Sequence, residues 1–282
     1  MLTCFNRREV TLSGLAALRS SAAVAGVELH AVLVDDASSD GTAAAVREQA
    51  PWVDVIESEG DLYWCRGMHR ACERAFQQAH DYYLWLNDDT ILDIDALPRL
   101  LACQAELQER DDDALIIVGS TRDTNTGLTT YGGKRHSGWW PTRFVRVTPS
   151  AQAQRIETFD GNIVLLSRAA TLRAGNLDPI FEHAMGDTDY GLRANKMGAA
   201  TWLAPGSYGL CNDNPMTGTY RDPTVPWLRR WALIRSRKGL PHRSWLIFNQ
   251  RHCGLMWPAT FAWPYLRLVL EGLRDWRRGG QA

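Results

Sequence analysis

No CxxC pair occurs among the six cysteines, and no Cys/His grouping has zinc-site spacing. That argues against a structural zinc module and leaves the thiols reduced, as in a cytosolic protein. A long apolar run is missing too. The stretch between His252 and Arg267 carries no charge, but it is shorter than the roughly 20 residues that a bilayer requires and is interrupted by Pro258 and Pro264. MLTCFNRREV lacks the basic segment and apolar stretch of a secretion signal. Net charge is nearly absent, at −1, so the chain as a whole is directed neither to nucleic acid nor to a charged polymer. Repeats and low-complexity tracts are also absent. What remains is one large domain, or a domain of about 200 residues with an appendage.

What is present is unevenly distributed. Residues 221–282 hold 12 Lys+Arg against 3 Asp+Glu, whereas residues 1–220 hold 19 against 29. The basic segment also contains Trp227, Trp231, Trp245, Trp257, Trp263 and Trp276. Indoles among Lys and Arg suit the headgroup region of an anionic membrane, where amphipathic helices lie flat. The alternative is a set of helices packed on the main domain with a basic, solvated face. No RNA-binding module is recognisable in it.

Upstream, short apolar runs alternate with helical patterns. Strands are expected at 29–38, 52–58, 81–90 and 114–120, and helices at 39–50, 66–79 and 94–110. The alternation predicts a mostly parallel sheet with helices on its faces. After residue 120 it fails, and 122–140, rich in Gly, Thr and aromatics, reads as a loop or hairpin insertion. A strand with a helix start follows at 159–170, and a helix opened by acids at 186–198. The first strand begins almost at Met1, as expected of a start that is truncated or lies upstream.

The informative residues are the acids at strand ends. LWLNDDT (84–90) turns from buried-strand residues to Asn87, Asp88 and Asp89, and VDDASSDGT (34–42) does the same at Asp35 and Asp36. Ligands of open α/β sheets bind outside the carboxyl ends of the strands. Mg²⁺ or Mn²⁺ takes carboxylate oxygen and fills its other positions with water and substrate phosphates, so one or two carboxylates suffice. Asp35 and Asp36 repel each other unless a donor intervenes, and a nucleobase N–H or ribose hydroxyls would supply one. In GDTDYGLRA (186–194), Asp187 opens a helix, where the dipole favours its ionised form and makes it able to accept a proton. The alternative is that Asp187 is simply an N-cap, with Asp189 and Arg193 then an i,i+4 surface pair. Trp139 and Trp140 fit either sugar stacking or packing, while His136, His183 and His252 read as structural.

Taken in order, TCFNRRE, VDDASSDGT, LNDDT and GDTDYGLRA resemble the motifs of family-2 glycosyltransferases of the GT-A fold over about residues 1–205. Asp36 and Asp89 are 53 residues apart and Asp89 and Asp187 98 apart, which fits that order. The resemblance implies a GT-A catalytic domain, 1–210, Rossmann-like with helices on both faces of its sheet, and a helical, basic, Trp-rich extension, 211–282. It implies that Thr3, Phe5, Asn6 and Asp36 hold the base and ribose of a nucleoside diphosphate sugar. Asp88 would touch the ribose and Asp89, in the DxD-type segment, the Mg²⁺ or Mn²⁺. Arg66 and Gly67 would approach the nucleotide, and Gly161 would let the backbone pass near the donor sugar. Asp187 would be the general base of an inverting transfer to a glycan or lipid-linked acceptor of polysaccharide biosynthesis. The setting would be the cytoplasmic face of the cell envelope, with a possible peripheral contact through 221–282 and no nucleic acid partner.

Two positions depart from the family pattern. Gly186 stands where Glu commonly precedes the catalytic Asp, and YGLCNDNP (208–215) lacks the His that often completes the metal site, leaving Cys211, Asn212, Asp213 or water. The alternatives are a nucleotidyltransferase acting on a sugar phosphate, although TCFNRRE has no glycine for a phosphate loop, and a catalytically silent nucleotide-sugar-binding subunit.

Overall fold

The computed structural model describes residues 1–110 and 113–279, with side chains described to Arg274. The chain runs β1 (Leu2–Cys4), α1 (Arg8–Ala25), β2 (Ala31–Asp35), α2 (Thr42–Gln49), β3 (Val53–Glu57), α3 (Tyr63–Ala75), β4 (Tyr82–Leu86), β5 (Ile91–Leu92), α4 (Ala96–Gln108) and β6 (Leu115–Arg122). It continues through β7 (Gly133–His136), β8 (Phe144–Arg146), β9 (Gln154–Arg155), β10 (Thr158–Phe159), β11 (Ile163–Ser167), α5 (Arg168–Ala174), α6 (Gly186–Lys196) and β12 (Ala200–Leu210). Three helices close it: α7 (Trp227–Ile234), α8 (His242–His252) and α9 (Trp257–Gly279).

β1, β2 and β3 pair in parallel, and a second sheet has the order β4-β11-β6-β12-β5. Met1 joins the two: its amino group donates to Leu84 O at 2.7 Å, and Leu86 N donates to Met1 O at 3.1 Å. The carboxyl ends of β1, β2 and β4 therefore share one edge. β6 and β12 are parallel, but β11 runs antiparallel to both β4 and β6. The expectation of a mostly parallel sheet thus holds for the first half, and the second sheet is mixed. The reason is the connection: β6 reaches β11 through the 123–162 insertion, with its β7–β8 hairpin, and not through a crossover helix.

Period-two alternation divides the strands between two cores. Val32, Val34, Trp85, Ile116, Val118 and Val164 face one, with Tyr190 and Phe159; Leu33, Leu86, Leu115, Ile117, Ile163 and Leu165 face the other, with Leu15 and Leu100. Both faces are covered by helices, so the strands read as continuous apolar runs. α3 starts three residues before its expected position. The Asp36 carboxylate accepts from Leu62 N (3.0 Å) and Tyr63 N (2.9 Å), which satisfies amides at the helix entrance that no pattern in 62–66 would satisfy.

α8 shares the first core, since Trp245 and Phe248 are buried in it. It is also tied to α6: Asp189, fully buried, accepts from His252 Nε2 (2.8 Å), Arg193 Nε (2.9 Å) and Arg251 Nη1 (3.2 Å). The expected surface pair of Asp189 and Arg193 is instead part of a buried junction, because α8 covers it. Trp227 is half-buried, stacking on Trp231 and donating to Leu268 O at 2.8 Å. Of the basic segment's tryptophans, Trp263 is exposed, and the side chain of Trp276 lies outside the described residues. Among the described residues no helix is long and apolar enough to cross a membrane.

Candidate active site

The shared strand edge collects the acids. Asp88 is buried and Asp89 is about one-third exposed, and one guanidinium nitrogen, Arg7 Nη1, lies 3.3 Å from Asp88 Oδ1 and 2.7 Å from Asp89 Oδ2. Burial pushes the Asp88 carboxyl up to about 6, against the pull of Arg7 and with a further push from Asp89. A carboxyl raised in the folded state costs stability as pH rises from its ordinary value through the raised one, because only the unfolded chain then ionises freely. With divalent cations removed, Asp88→Asn is therefore expected to raise unfolding stability by roughly 3 kcal/mol at pH 7.5 and by almost nothing at pH 3.5, measured by urea titration.

Asp36 has donors within the chain. Its oxygens accept from Ser58 Oγ (2.8 Å) and from the Leu62 and Tyr63 amides, and Asp35 Oδ1 accepts from Ser38 N (2.8 Å). The chain itself thus supplies the donors that the sequence assigned to a base or ribose. Asn6, with φ 52°, locks the first loop to the second: its Oδ1 accepts from Ser39 N at 2.7 Å and its N donates to Ser38 Oγ at 2.9 Å. Phe5 beside it is exposed.

Three glycines serve close packing. A Cβ on Gly67 would collide with Thr3 Oγ1, which explains both Gly67 and the burial of Thr3 without a nucleotide. At Gly161 it would meet the Trp64 ring at 2.5 Å, so the backbone passes close to an indole. At Gly186 it would collide with Cys65 Sγ, which leaves no room for the glutamate common at this position. Arg66 is turned to the loop before α6, donating to Pro179 O (2.9 Å) and Glu182 Oε1 (3.2 Å).

Trp64, which carried no signal in the sequence, links the acidic sites. Its Nε1 donates to Asn87 Oδ1 at 2.7 Å, its ring covers Gly161, and Gly161 N donates to Asp187 Oδ2 at 3.1 Å. Asp36 caps the entrance of the same helix. One indole thus meets Asn87, the neighbour of Asp88, and Gly161, the residue bonded to Asp187.

Asp187 is half-buried, and its Oδ1 accepts from Thr188 N at 2.7 Å. Burial raises its pKa; Lys134 opposes that and Asp160 adds to it. The helix-dipole expectation of a low value is overturned, because the loss of solvent outweighs the helix terminus. Lys134 Nζ lies 2.6 Å from Asp160 Oδ1 and donates to Thr188 Oγ1 at 3.4 Å. Lys134 and Asp160 were missed in the sequence, where nothing in YGGKRH or FDGN marks a contact across the insertion. His183, expected to be structural, is held neutral: burial, with Lys238 and Arg7 nearby, brings its imidazole down to about 4.

Among the described residues no group of three or more His, Cys, Asp or Glu is arranged as a metal cage. Two carboxylates that already hold a guanidinium between them do fit a cation whose other positions go to water and phosphate. Of the residues left open for a third position, Cys211 is at the site, its thiol donating to Asp89 Oδ1 at 3.6 Å. Asp213 pairs with Arg146 (3.2 Å), and Asn212 Oδ1 accepts from Thr124 N (2.9 Å).

Residues 1–175 match the family model described as glycosyl transferase family 2. Similar solved structures include the mannosyltransferase PcManGT from Pyrobaculum calidifontis in complex with GDP-Man and Mn²⁺, at 16% identity over 100% of this chain and 74% of that one, with a TM-score of 0.58. S. aureus TarS 1-349 in complex with UDP-GlcNAc is 14% identical over 88% of this chain and 69% of that one, with a TM-score of 0.55. No curated protein matches in sequence. At such identities the structural likeness speaks for the fold alone, a GT-A fold with a helical carboxyl-terminal region.

Proposed function

The chain belongs to glycosyl transferase family 2, and from that premise we propose an inverting, cation-dependent transfer of sugar from a nucleoside diphosphate sugar to an acceptor hydroxyl. The observation that carries this reading is the arrangement around Trp64, which bonds Asn87 next to the cation-type carboxylates and packs on Gly161, the residue that donates to the half-buried Asp187. Asp187 accepts the proton of the attacking hydroxyl. Its fixed bonds from Gly161 N and Thr188 N aim the carboxylate, and Lys134 holds positive charge beside it. Asp89, together with Asp88, which the resemblance placed on the ribose but which shares one guanidinium nitrogen with Asp89, would hold Mg²⁺ or Mn²⁺, which would supply neutralisation of charge on the departing diphosphate. Displacement from the face opposite the leaving group inverts the anomeric carbon.

The nucleotidyltransferase alternative loses its footing with family membership. The silent-subunit alternative loses one of its two supports, since Gly186 has a steric reason in Cys65. On the donor side, Phe5 and the 38–40 loop flank the edge where a base would lie. We assign residues 1–210 to catalysis and 211–282 to an extension that presents the acceptor. On α9, Trp263, Leu266, Leu270 and Leu273 are exposed along one side beside Arg267, and Trp263 meets Trp140, next to the exposed Trp139. That combination of apolar and cationic groups suits a lipid-linked acceptor or a glycan at the inner face of a membrane.

The test is a panel of UDP- and GDP-sugars in thermal-shift assays with and without Mn²⁺, followed by NMR of the product's anomeric configuration. One donor is expected to raise the midpoint only with Mn²⁺, since a ligand of the folded state alone stabilises it. Retention of the donor's anomeric configuration would rule out the proposed displacement.

A further inference from the structure

Arg7 is the residue that the proposed chemistry does not use. It precedes α1, in a loop whose backbone is fastened on both sides: Asn6 is bonded to Ser38 and Ser39, and Arg8 N donates to Asp40 Oδ2 at 3.0 Å. The backbone is fixed, while the Arg7 side chain is nearly half exposed. It meets two carboxylates through one nitrogen, Nη1, at 3.3 and 2.7 Å. This is not the two-pronged fork that makes arginine–carboxylate pairs strong, so the contact is easily exchanged.

Adjacent carboxylates at a strand end, one buried and one about one-third exposed, need a positive charge between them, and here the chain brings its own. We propose that Arg7 is an internal counter-cation of Asp88 and Asp89, which yields its place to the divalent ion when a nucleoside diphosphate enters and then pairs with the diphosphate. The proposal rests on the cation reading above. Charge supports the exchange: a divalent ion beside two carboxylates and one guanidinium leaves a surplus positive charge, which a diphosphate neutralises. Guanidinium geometry suits phosphate oxygens as well as carboxylates. Without nucleotide, the ion must displace a cation that has nowhere equally favourable to go. With nucleotide, the displaced guanidinium gains a partner, so ion and diphosphate favour each other's binding through Arg7 as well as by direct contact.

The experiment is a Mn²⁺ titration followed by electron paramagnetic resonance of the free ion, with the protein alone and with UDP or GDP. Arg7→Gln is expected to tighten Mn²⁺ binding to the nucleotide-free protein about tenfold and to weaken the nucleotide several-fold in the presence of Mn²⁺. Arg8→Gln removes the same charge one residue away, where the guanidinium faces Glu9, and is expected to change Mn²⁺ affinity less than twofold. Arg7→Met carries the same expectation if Arg7→Gln misfolds. Unchanged or weaker Mn²⁺ binding by the Arg7 variants, or an equal gain in Arg8→Gln, overturns the role of Arg7 while leaving the cation site standing. Failure of every protein to bind Mn²⁺ with either nucleotide overturns the cation site and this role together.

Discussion

Asp187→Asn is expected to lower the rate of sugar transfer by a factor of roughly 10² to 10⁴ while leaving nucleoside diphosphate affinity within about twofold. The amide keeps the shape of the carboxyl and one of its two oxygens, so the bond from either Gly161 N or Thr188 N is retained while the other is lost. What it lacks is basicity. Burial shifts the pKa of the carboxyl upward, which brings a base nearer the pH at which it must accept a proton. The base must be ionised to act, so the wild-type rate should fall on the acid side, and Asp187→Asn should lose that limb. Transfer rates and isothermal titration with UDP or GDP measure both quantities. Near-normal turnover by Asp187→Asn would remove Asp187 from the role of base.

Asp189→Ala is expected to destabilise the protein by about 3 kcal/mol or more, lowering the melting midpoint by roughly 6–12 °C, and to expose α8 to proteases. Its carboxylate is fully buried and accepts from His252, Arg193 and Arg251 at once. Removing it leaves basic groups in a poorly solvated junction, which costs more than the bonds themselves. Burial works to raise the pKa of Asp189, but the His252 and Arg193 hydrogen bonds outweigh it and the net shift is downward. A lowered carboxylate contributes stability above its ordinary pKa that disappears as pH falls through the folded-state value. The difference between wild type and Asp189→Ala should therefore shrink under strong acid. An unchanged midpoint at pH 7 would mean that α8 is held by its other contacts, among them the burial of Trp245 and Phe248 and the Ser244 and Arg251 bonds to Ile180 and Asp178.

The two variants separate functions that lie two residues apart on α6. Asp187 faces the Trp64 cluster and Asp189 faces α8. Helical spacing places i and i+2 on different sides, so one acid is free for chemistry while the other fastens the extension. The extension is therefore attached to α6 through Arg251 and His252, two residues along the helix from Asp187.

Much of this was legible in the sequence. Apolar runs ending in acids located β2 and β4, because strands covered on both faces must be apolar throughout and the change to Asp marks their exit to the ligand edge. The order of TCFNRRE, VDDASSDGT, LNDDT and GDTDYGLRA sufficed for family and fold class, since these are short local segments whose types survive without their partners. Less was legible in the insertion, where β7, β10 and β11 take their places by pairing with strands far along the chain.

The amino-acid sequence by itself determined the alternating elements, the acids at their ends and the segregation of basic residues into the last helices, all of which follow from periodicity, capping and composition. Only the tertiary structure decided who meets whom. Asp36 finds amides 26 and 27 residues away, Arg7 finds carboxylates 81 and 82 away, and Gly186 makes room for Cys65. Such pairings depend on distances that exist only after the sheet has assembled, because hydrogen bonds, steric exclusion and burial act through space and leave no trace in spacing along the chain.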